Sequence, residues 1–247
     1  MKKIPMKRRV LIVGEGRETE YNYFVGFREK FRDELAAMAI SVRVARGKGG
    51  SARGIVEKAI YEKKKFEPDP RHGDRVFLLM DTEGPGRAPE LPDAGILAAK
   101  NKIEVIYSSP AFEYWLLCHF EKISRSYFKD CASVMVELDK RWKRVSKSNY
   151  DKSDQDIFSR LSVQFQDARK QALEIDLHHL KTAQSSSDFN PSSQVYELIG
   201  ILLGARTGEK CPIQGDWMLS DNPSVKKTLN KGDDMPNYEN NETHWRL

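Results

Sequence analysis

The sequence predicts an α/β protein: a mostly parallel sheet flanked by helices, with a helical region toward the C-terminal end. Three observations carry this. Short unbroken apolar runs recur, clearest at Val10–Val13 ("VLIV") and Arg75–Met80 ("RVFLLM"), as in strands covered on both faces. Between them lie segments whose apolar residues step by three and four, the helical period. Loops rich in Gly, Pro and Asp separate the two kinds of segment. Strands alternating with helices build a parallel sheet with helices on both sides.

In chain order, Lys7–Val13 reads as the first strand. Thr19 to about Ala39 reads as a helix, with Thr19 as N-cap and Tyr23, Phe24, Phe27, Phe31 and Leu35 on its apolar face. Ile40–Ala45 is a short second strand, "RGKGGSARG" a loop, and Ser51 the cap of a helix over Ala52–Lys65. Arg75–Met80 is the third strand and ends in "DTEGPG". Leu91–Lys100 reads as a short helix, Lys102–Tyr107 as the fourth strand, and "SSPAFEYWLLCHF" as a loop turning into an apolar helix. Residues 125–202 read as helical with polar breaks at 145–153 and 183–193. The chain thus divides into a core over 1–120, a helical extension over 121–203 packing on it, and an extended, partly ordered tail over 204–247.

Composition narrows the classes. The 247 residues are 39% hydrophobic and 31% charged, enough to bury a core. No apolar run approaches the roughly 20 residues of a membrane span, and "VLIV" is too short for a signal peptide, so the expected location is cytoplasmic. Cys118, Cys131 and Cys211 show neither zinc-site spacing nor a disulfide framework and read as buried or half-buried thiols. The formal charge of +5 suits a nucleic-acid partner without establishing one. Cations crowd at Lys2–Arg9, Lys63–Lys65 and Lys140–Lys147. The last run, "KRWKRVSK", sets Trp142 among Arg141, Lys143, Arg144 and two further lysines. That mixture stacks bases and holds phosphates, and it equally fits a solvated helix face with one buried Trp. His178 and His179 read as surface residues of a polar helix.

Acidic residues stand at three strand ends: Glu15 in "GEGRETE", Asp81 and Glu83 in "DTEG", and Glu113 in "SSPAFE". Each alone fits a turn or a helix cap. Together they suit a hard divalent cation, Mg²⁺ or Mn²⁺, which takes oxygen ligands and substrate phosphate. Period-two geometry would send Asp81 and Glu83 to one side. Glu15 would meet Asp81 if their strands are neighbours, and the glycines around Glu15 would let the backbone turn sharply enough to reach. Other glycine readings fail on spacing. In "GEGRET" the third glycine of a dinucleotide fingerprint falls at Thr19, and "GKGGSARG" is not a P-loop. No Gly-x-Ser-x-Gly occurs.

A Glu at the first strand end followed by Asp-x-Asp/Glu at a later one resembles the Toprim arrangement of topoisomerases, primases and OLD-type nucleases. More narrowly, "VLIVGEGRETEYNYF", "VFLLMDTEG", "SSPAFEYWLLCHF", "YDKSDQDIFSRL" and "FNPSSQVYELIGILL" in this order resemble the RloB family, over about residues 8–203. The resemblance implies a Toprim-like (Rossmannoid) fold and a metal-dependent nuclease acting on DNA or RNA, tRNA included, in bacterial defence against phage. It implies Glu15 as general base or metal ligand, Asp81 and Glu83 as the metal pair, Glu113 as the third acidic position and Glu20 as a structural residue or further ligand. Two positions depart from the family pattern: Glu83 stands where an Asp is usual, and Ser109 where an Asn is usual. Arg17, Lys48, Arg141, Trp142, Lys143 and Arg144 are the expected nucleic-acid contacts. A homodimer and a defence-system partner or activator are further expectations. A binding subunit without catalysis and a nucleotidyl transferase remain open alternatives.

Overall fold

The structure, a computed structural model, describes residues 7–120, 127–182, 189–239 and 241–247. Most of the basic N-terminus and part of the 183–193 break therefore lie outside the described residues.

Strand β1 (Arg8–Val13) leads into helices α1 (Thr19–Lys30) and α2 (Arg32–Ala37), then β2 (Ile40–Ala45), α3 (Ala52–Phe66), β3 (Arg75–Asp81), α4 (Leu91–Lys100) and β4 (Glu104–Ser109). The sheet order is β2-β1-β3-β4, all parallel, closed by the two-residue antiparallel β5 (Ser192–Ser193). The adjacency on which the acidic site depends is therefore real: Val13 pairs with Leu78, and β1 and β3 end side by side. Each strand alternates between two cores. Val10, Ile12, Phe77, Leu79 and Ile106 face one, and Leu11, Val13, Val76, Leu78 and Met80 face the other. Burial on both faces is why these strands read as continuous apolar runs.

The second core is thin, covered by α3 and α4. The first is deep and aromatic. It is covered by α1, α2, α5 (Glu113–Leu117) and the helical extension: α6 (Cys131–Trp142), α7 (Ile157–Leu161), α8 (Phe165–Thr182) and α9 (Val195–Leu203). Tyr23 meets Phe24, Phe112, Trp115 and Phe158 edge-to-face at centroid distances of 5.1–6.2 Å. Each such pair adds about 0.5–1.5 kcal/mol beyond its buried area, so the extension is welded to α1. The helix expected over 19–39 is two helices broken at Phe31. Ser51 caps α3, accepting from Gly54 N at 3.2 Å. Thr19 does not act as a side-chain cap; its hydroxyl instead lies 3.3 Å from Tyr150 Oη.

The C-terminal stretch departs most from expectation. Instead of an extended tail it forms a four-stranded antiparallel sheet, β6 (Ala205–Arg206), β7 (Gly215–Leu219), β8 (Lys226–Leu229) and β9 (His244–Arg246), in the order β6-β9-β7-β8. Trp217, Trp245, Cys211 and Met235 form its core. Gly204 starts it at φ +73, where a Cβ would stand 2.2 Å from Trp245 O, so only glycine fits. Lys231 ties this sheet to the helices, reaching Asp176 of α8 at 2.6 Å and Glu197 of α9 at 2.7 Å. Among the described residues, no helix is long and apolar enough to cross a membrane.

Candidate functional site

The carboxyl ends of β1 and β3, the start of α1 and the start of α5 enclose a cleft of about 280 Å³. Glu15, Glu20, Asp81, Glu83 and Glu113 all line it. All five acids expected at the site are thus brought together, from segments up to a hundred residues apart.

Glu15 follows β1 and is buried. Its Oε2 accepts the backbone N–H of Asp81 at 2.8 Å, locking the two strand ends to each other. The loop after β2 wraps this turn: Gly47 N donates to Gly16 O at 2.8 Å and Gly49 N to Glu15 O at 3.0 Å. A Cβ on Gly47 would stand 2.0 Å from Glu15 O. The glycine that this turn cannot replace is therefore Gly47. Gly14 and Gly16, which flank Glu15, have no left-handed φ; they clear space for Glu20, whose side chain would lie 3.3 and 3.2 Å from their added Cβ atoms. Glu20, buried in the first turn of α1, accepts from Gly16 N at 3.1 Å.

Asp81 ends β3, paired with Ser108. Glu83 does not continue the alternation of the strand. Its backbone is left-handed at φ +49, and its half-exposed side chain turns to Arg87 at 2.9 Å. Both acids reach the cleft, Asp81 at its base and Glu83 at its rim. Glu113 opens α5 with its side chain 3% exposed. It takes Lys152 Nζ at 3.0 Å and the Tyr150 hydroxyl at 3.3 Å.

The electrostatics follow from this crowding. Burial raises the Glu15 carboxyl above its ordinary pKa, against the opposing pull of Arg87. Burial likewise raises Glu20, helped by the charges of Glu113 and Glu15. Asp81 is pushed well up, first by burial and then by Glu15, Glu20 and Glu113. Carboxylates pressed together protonate unless a cation answers them. The oxygen donors and this excess of negative charge fit Mg²⁺ or Mn²⁺. As the side chains stand, however, no three His, Cys, Asp or Glu groups among the described residues are set to hold a metal ion. Two cations of the chain stand among them. Arg87, its side chain 8% exposed, reaches Glu15 Oε1 at 2.6 Å, Glu83 at 2.9 Å, Asp81 O at 3.3 Å and Gly50 O at 3.0 Å. Lys152 answers Glu113.

The expected nucleic-acid contacts divide. Arg17 is exposed and lines the cleft. Lys48 is exposed, with its ammonium over the first turn of α3. The α6 group is different. Trp142 is fully buried in the first core, edge-on to Tyr150 at 5.2 Å, and has no face free for a base. Arg141 pairs with Glu137 at 2.7 Å, and Lys143 lies 3.9 Å from Asp139. Lys143 and Arg144 are exposed. Of the histidines, His179 is buried rather than superficial, bonded to Pro191 O at 2.9 Å and stacked on Phe189. Sequence reasoning missed Arg87, Tyr150 and Lys152, although "YDKSDQDIFSRL" contains the last two.

Comparison with curated proteins and with solved structures returns no match. A family model described as RloB-like protein matches residues 10–202. That span holds all of the parallel sheet but the first two residues of β1, all of the helical extension but the last residue of α9, and every acid of the cleft, and it stops short of the C-terminal antiparallel sheet. The chain belongs to the RloB-like family.

Proposed function

We propose that this chain is a Mg²⁺- or Mn²⁺-dependent endonuclease that cleaves phosphodiester bonds in RNA such as tRNA, or in DNA, in the anti-phage setting that the RloB resemblance implies. The observation that carries the reading is the excess of carboxylates at the adjoining ends of β1 and β3, three of them raised in pKa by burial and mutual repulsion. Glu15, Asp81 and Glu113 would hold the ion, with Glu83 at the rim and Glu20 behind. A bound divalent ion there supplies positive charge to the phosphate and an activated water. Glu20 fixes the turn that carries Glu15. Arg87 fixes the Glu15 rotamer and the 47–50 loop. Exposed Arg17 offers positive charge along the cleft, and Lys48 beside the first turn of α3, where a polyanion would approach. Incubation with plasmid, single-stranded DNA and total tRNA, each in Mg²⁺, Mn²⁺ and EDTA, tests this. Metal-dependent cutting that disappears in Asp81→Ala is the expected result.

A second reading rests on Arg87. Its hold on Glu15 leaves the cleft without a ready set of three ligands, as a binding subunit would tolerate. Such a subunit would hold nucleic acid equally in EDTA and in Mg²⁺, and would never cut it.

A further inference from the structure

We propose that Lys152 contacts the scissile region of bound nucleic acid, moving its ammonium from Glu113 to a phosphate oxygen when Glu113 is engaged by a divalent ion. The inference rests on the proposed function for the identity of the anion. Three cations line the cleft: Arg17, Arg87 and Lys152. Arg87 is buried and directs its donors to Glu15, Glu83, Gly50 O and Asp81 O. Arg17 stands outside on the rim. Lys152 is different from both. Its ammonium reaches Glu113 Oε1 inside the cleft, yet its side chain is 53% exposed.

The backbone that carries it is held by several hydrogen bonds, whereas the side chain is held by Glu113. Tyr150 N donates to Asp139 Oδ1 at 2.8 Å. Lys152 O accepts from Thr19 Oγ1 at 3.5 Å, and Ser153 O from Asn22 Nδ2 at 3.2 Å. Ser153 N and Oγ both donate to Asp151 Oδ1 at 2.8 Å. The Thr19 and Asn22 bonds pin the 150–153 segment to the first turns of α1, next to Glu20, the Asp139 bond ties it to α6, and the Asp151 bonds brace it internally. Tyr150 also donates to Glu113, so this carboxylate keeps a partner when the lysine swings away. A fixed stem with a long, flexible, half-solvated cation is suited to following an anion. Of the pair only Glu113 is buried, and the Lys152 side chain keeps access to solvent and to an arriving anion.

The test uses the full chain and its Lys152→Met and Lys152→Arg variants. Binding of labelled oligothymidylate and of total tRNA is measured against salt concentration, in Ca²⁺ and in EDTA. For wild type in Ca²⁺, log affinity should fall with log salt more steeply than for Lys152→Met. The slopes should differ by about 0.7 on the single strand, the value for one neutralised phosphate. Lys152→Arg should restore the slope, and in EDTA the difference should vanish. Mn²⁺ titration of Lys152→Met should show affinity equal to or above wild type, because a competing cation is gone. Equal slopes for wild type and Lys152→Met overturn the inference, as does loss of Mn²⁺ binding in that variant, which would make Lys152 a mere brace for Glu113. If the slope difference appears but wild type cuts nothing in Mg²⁺ or Mn²⁺, the phosphate contact stands and the nuclease reading falls. Cutting with equal slopes does the reverse. A wild type that binds neither polymer removes both.

Discussion

Two buried acidic clusters in this molecule are answered differently. In the clasp of the C-terminal sheet, Asp176 and Glu197 share Lys231 at 2.6 and 2.7 Å, and the Tyr196 hydroxyl, with its one proton, lies 2.7 Å from Asp176 Oδ2 and 3.2 Å from Glu197 Oε1. One ammonium sits between two carboxylates, with an aromatic face 5.1 Å away. In the cleft, Arg87 and Lys152 each stand at the edge, Arg87 on Glu15 and Glu83, Lys152 on Glu113, while Asp81 and Glu20 have no ion pair from the chain among the described residues. The clasp is complete as built. The cleft carries a negative surplus over its own cations among the described residues, which marks it as the functional-site candidate.

The sharpest break in that comparison is activity. Asp81→Ala removes an acid that burial, and then Glu15, Glu20 and Glu113, push well up. Even residues that merely orient metal ligands cost about 10–100-fold in metal affinity or activity when removed, so cleavage should fall by at least about 100-fold. A gel assay on the cut substrate reads this, and an equally active variant refutes the assignment. Lys231→Met, by contrast, should leave metal binding untouched and strike stability. It strands two buried carboxylates, a loss of about 3–5 kcal/mol. At about 2–4 °C per kcal/mol for a chain of this size, the melting temperature should drop by about 6–20 °C. A melting temperature unchanged within error would show that the clasp contributes nothing net.

The two clusters also differ in how far they can be read from the amino acids. Glu15, Asp81 and Glu113 stand directly after strands or in a strand-to-helix turn, and strands buried on both faces announce themselves as apolar runs. Their ends are then countable positions. Arg87 and Lys152 reach the same cleft from loops, where no period links a residue to its target. Trp142 among cations has one pattern and two meanings, because an aromatic on the inner face of a basic helix and one presented to a base look alike until the helix is packed. Glu83 departs from the alternation for a local reason: the strand ends at Asp81 and the backbone then enters the left-handed region. The clasp leaves no trace in the sequence. The strands of its sheet are two to five residues long, too short for alternation to register, and Lys231 sits in a turn between them.

Arg87→Met tests whether the edge cation competes with the metal. A hydrogen bond to a charged group contributes about 1.5–3 kcal/mol. Its removal from Glu15 should tighten Mn²⁺ binding about tenfold or more, while lowering the melting temperature in EDTA, where Glu15 is left buried and alone. Calorimetric titration and melting curves with and without Mn²⁺ measure both. Weaker Mn²⁺ binding would instead make Arg87 a required support of the ligand geometry.

The smallest expected effect is the pH dependence of metal-free stability. Glu15, Glu20 and Asp81 have folded-state pKa values above their unfolded ones, which lie at about 4. The stability they contribute is fully present below that value and is lost as pH rises through the raised values. Other acids pull the opposite way, such as Asp74, where burial is outweighed by hydrogen bonds from Asp69 N and Arg9. The raw profile therefore mixes both signs, and the difference between wild type and Asp81→Asn isolates the cleft. Asp81→Asn keeps the shape and removes the charge, so it should be the more stable protein in EDTA, by a margin that widens as pH rises from about 4. Adding Mn²⁺ should reverse the order at neutral pH, because the wild-type carboxyl would then release its proton to solvent and bind the ion as a carboxylate. Lys231→Met should keep the Mn²⁺ stabilisation that wild type shows, since Asp176, Glu197 and Lys231 lie outside the cleft.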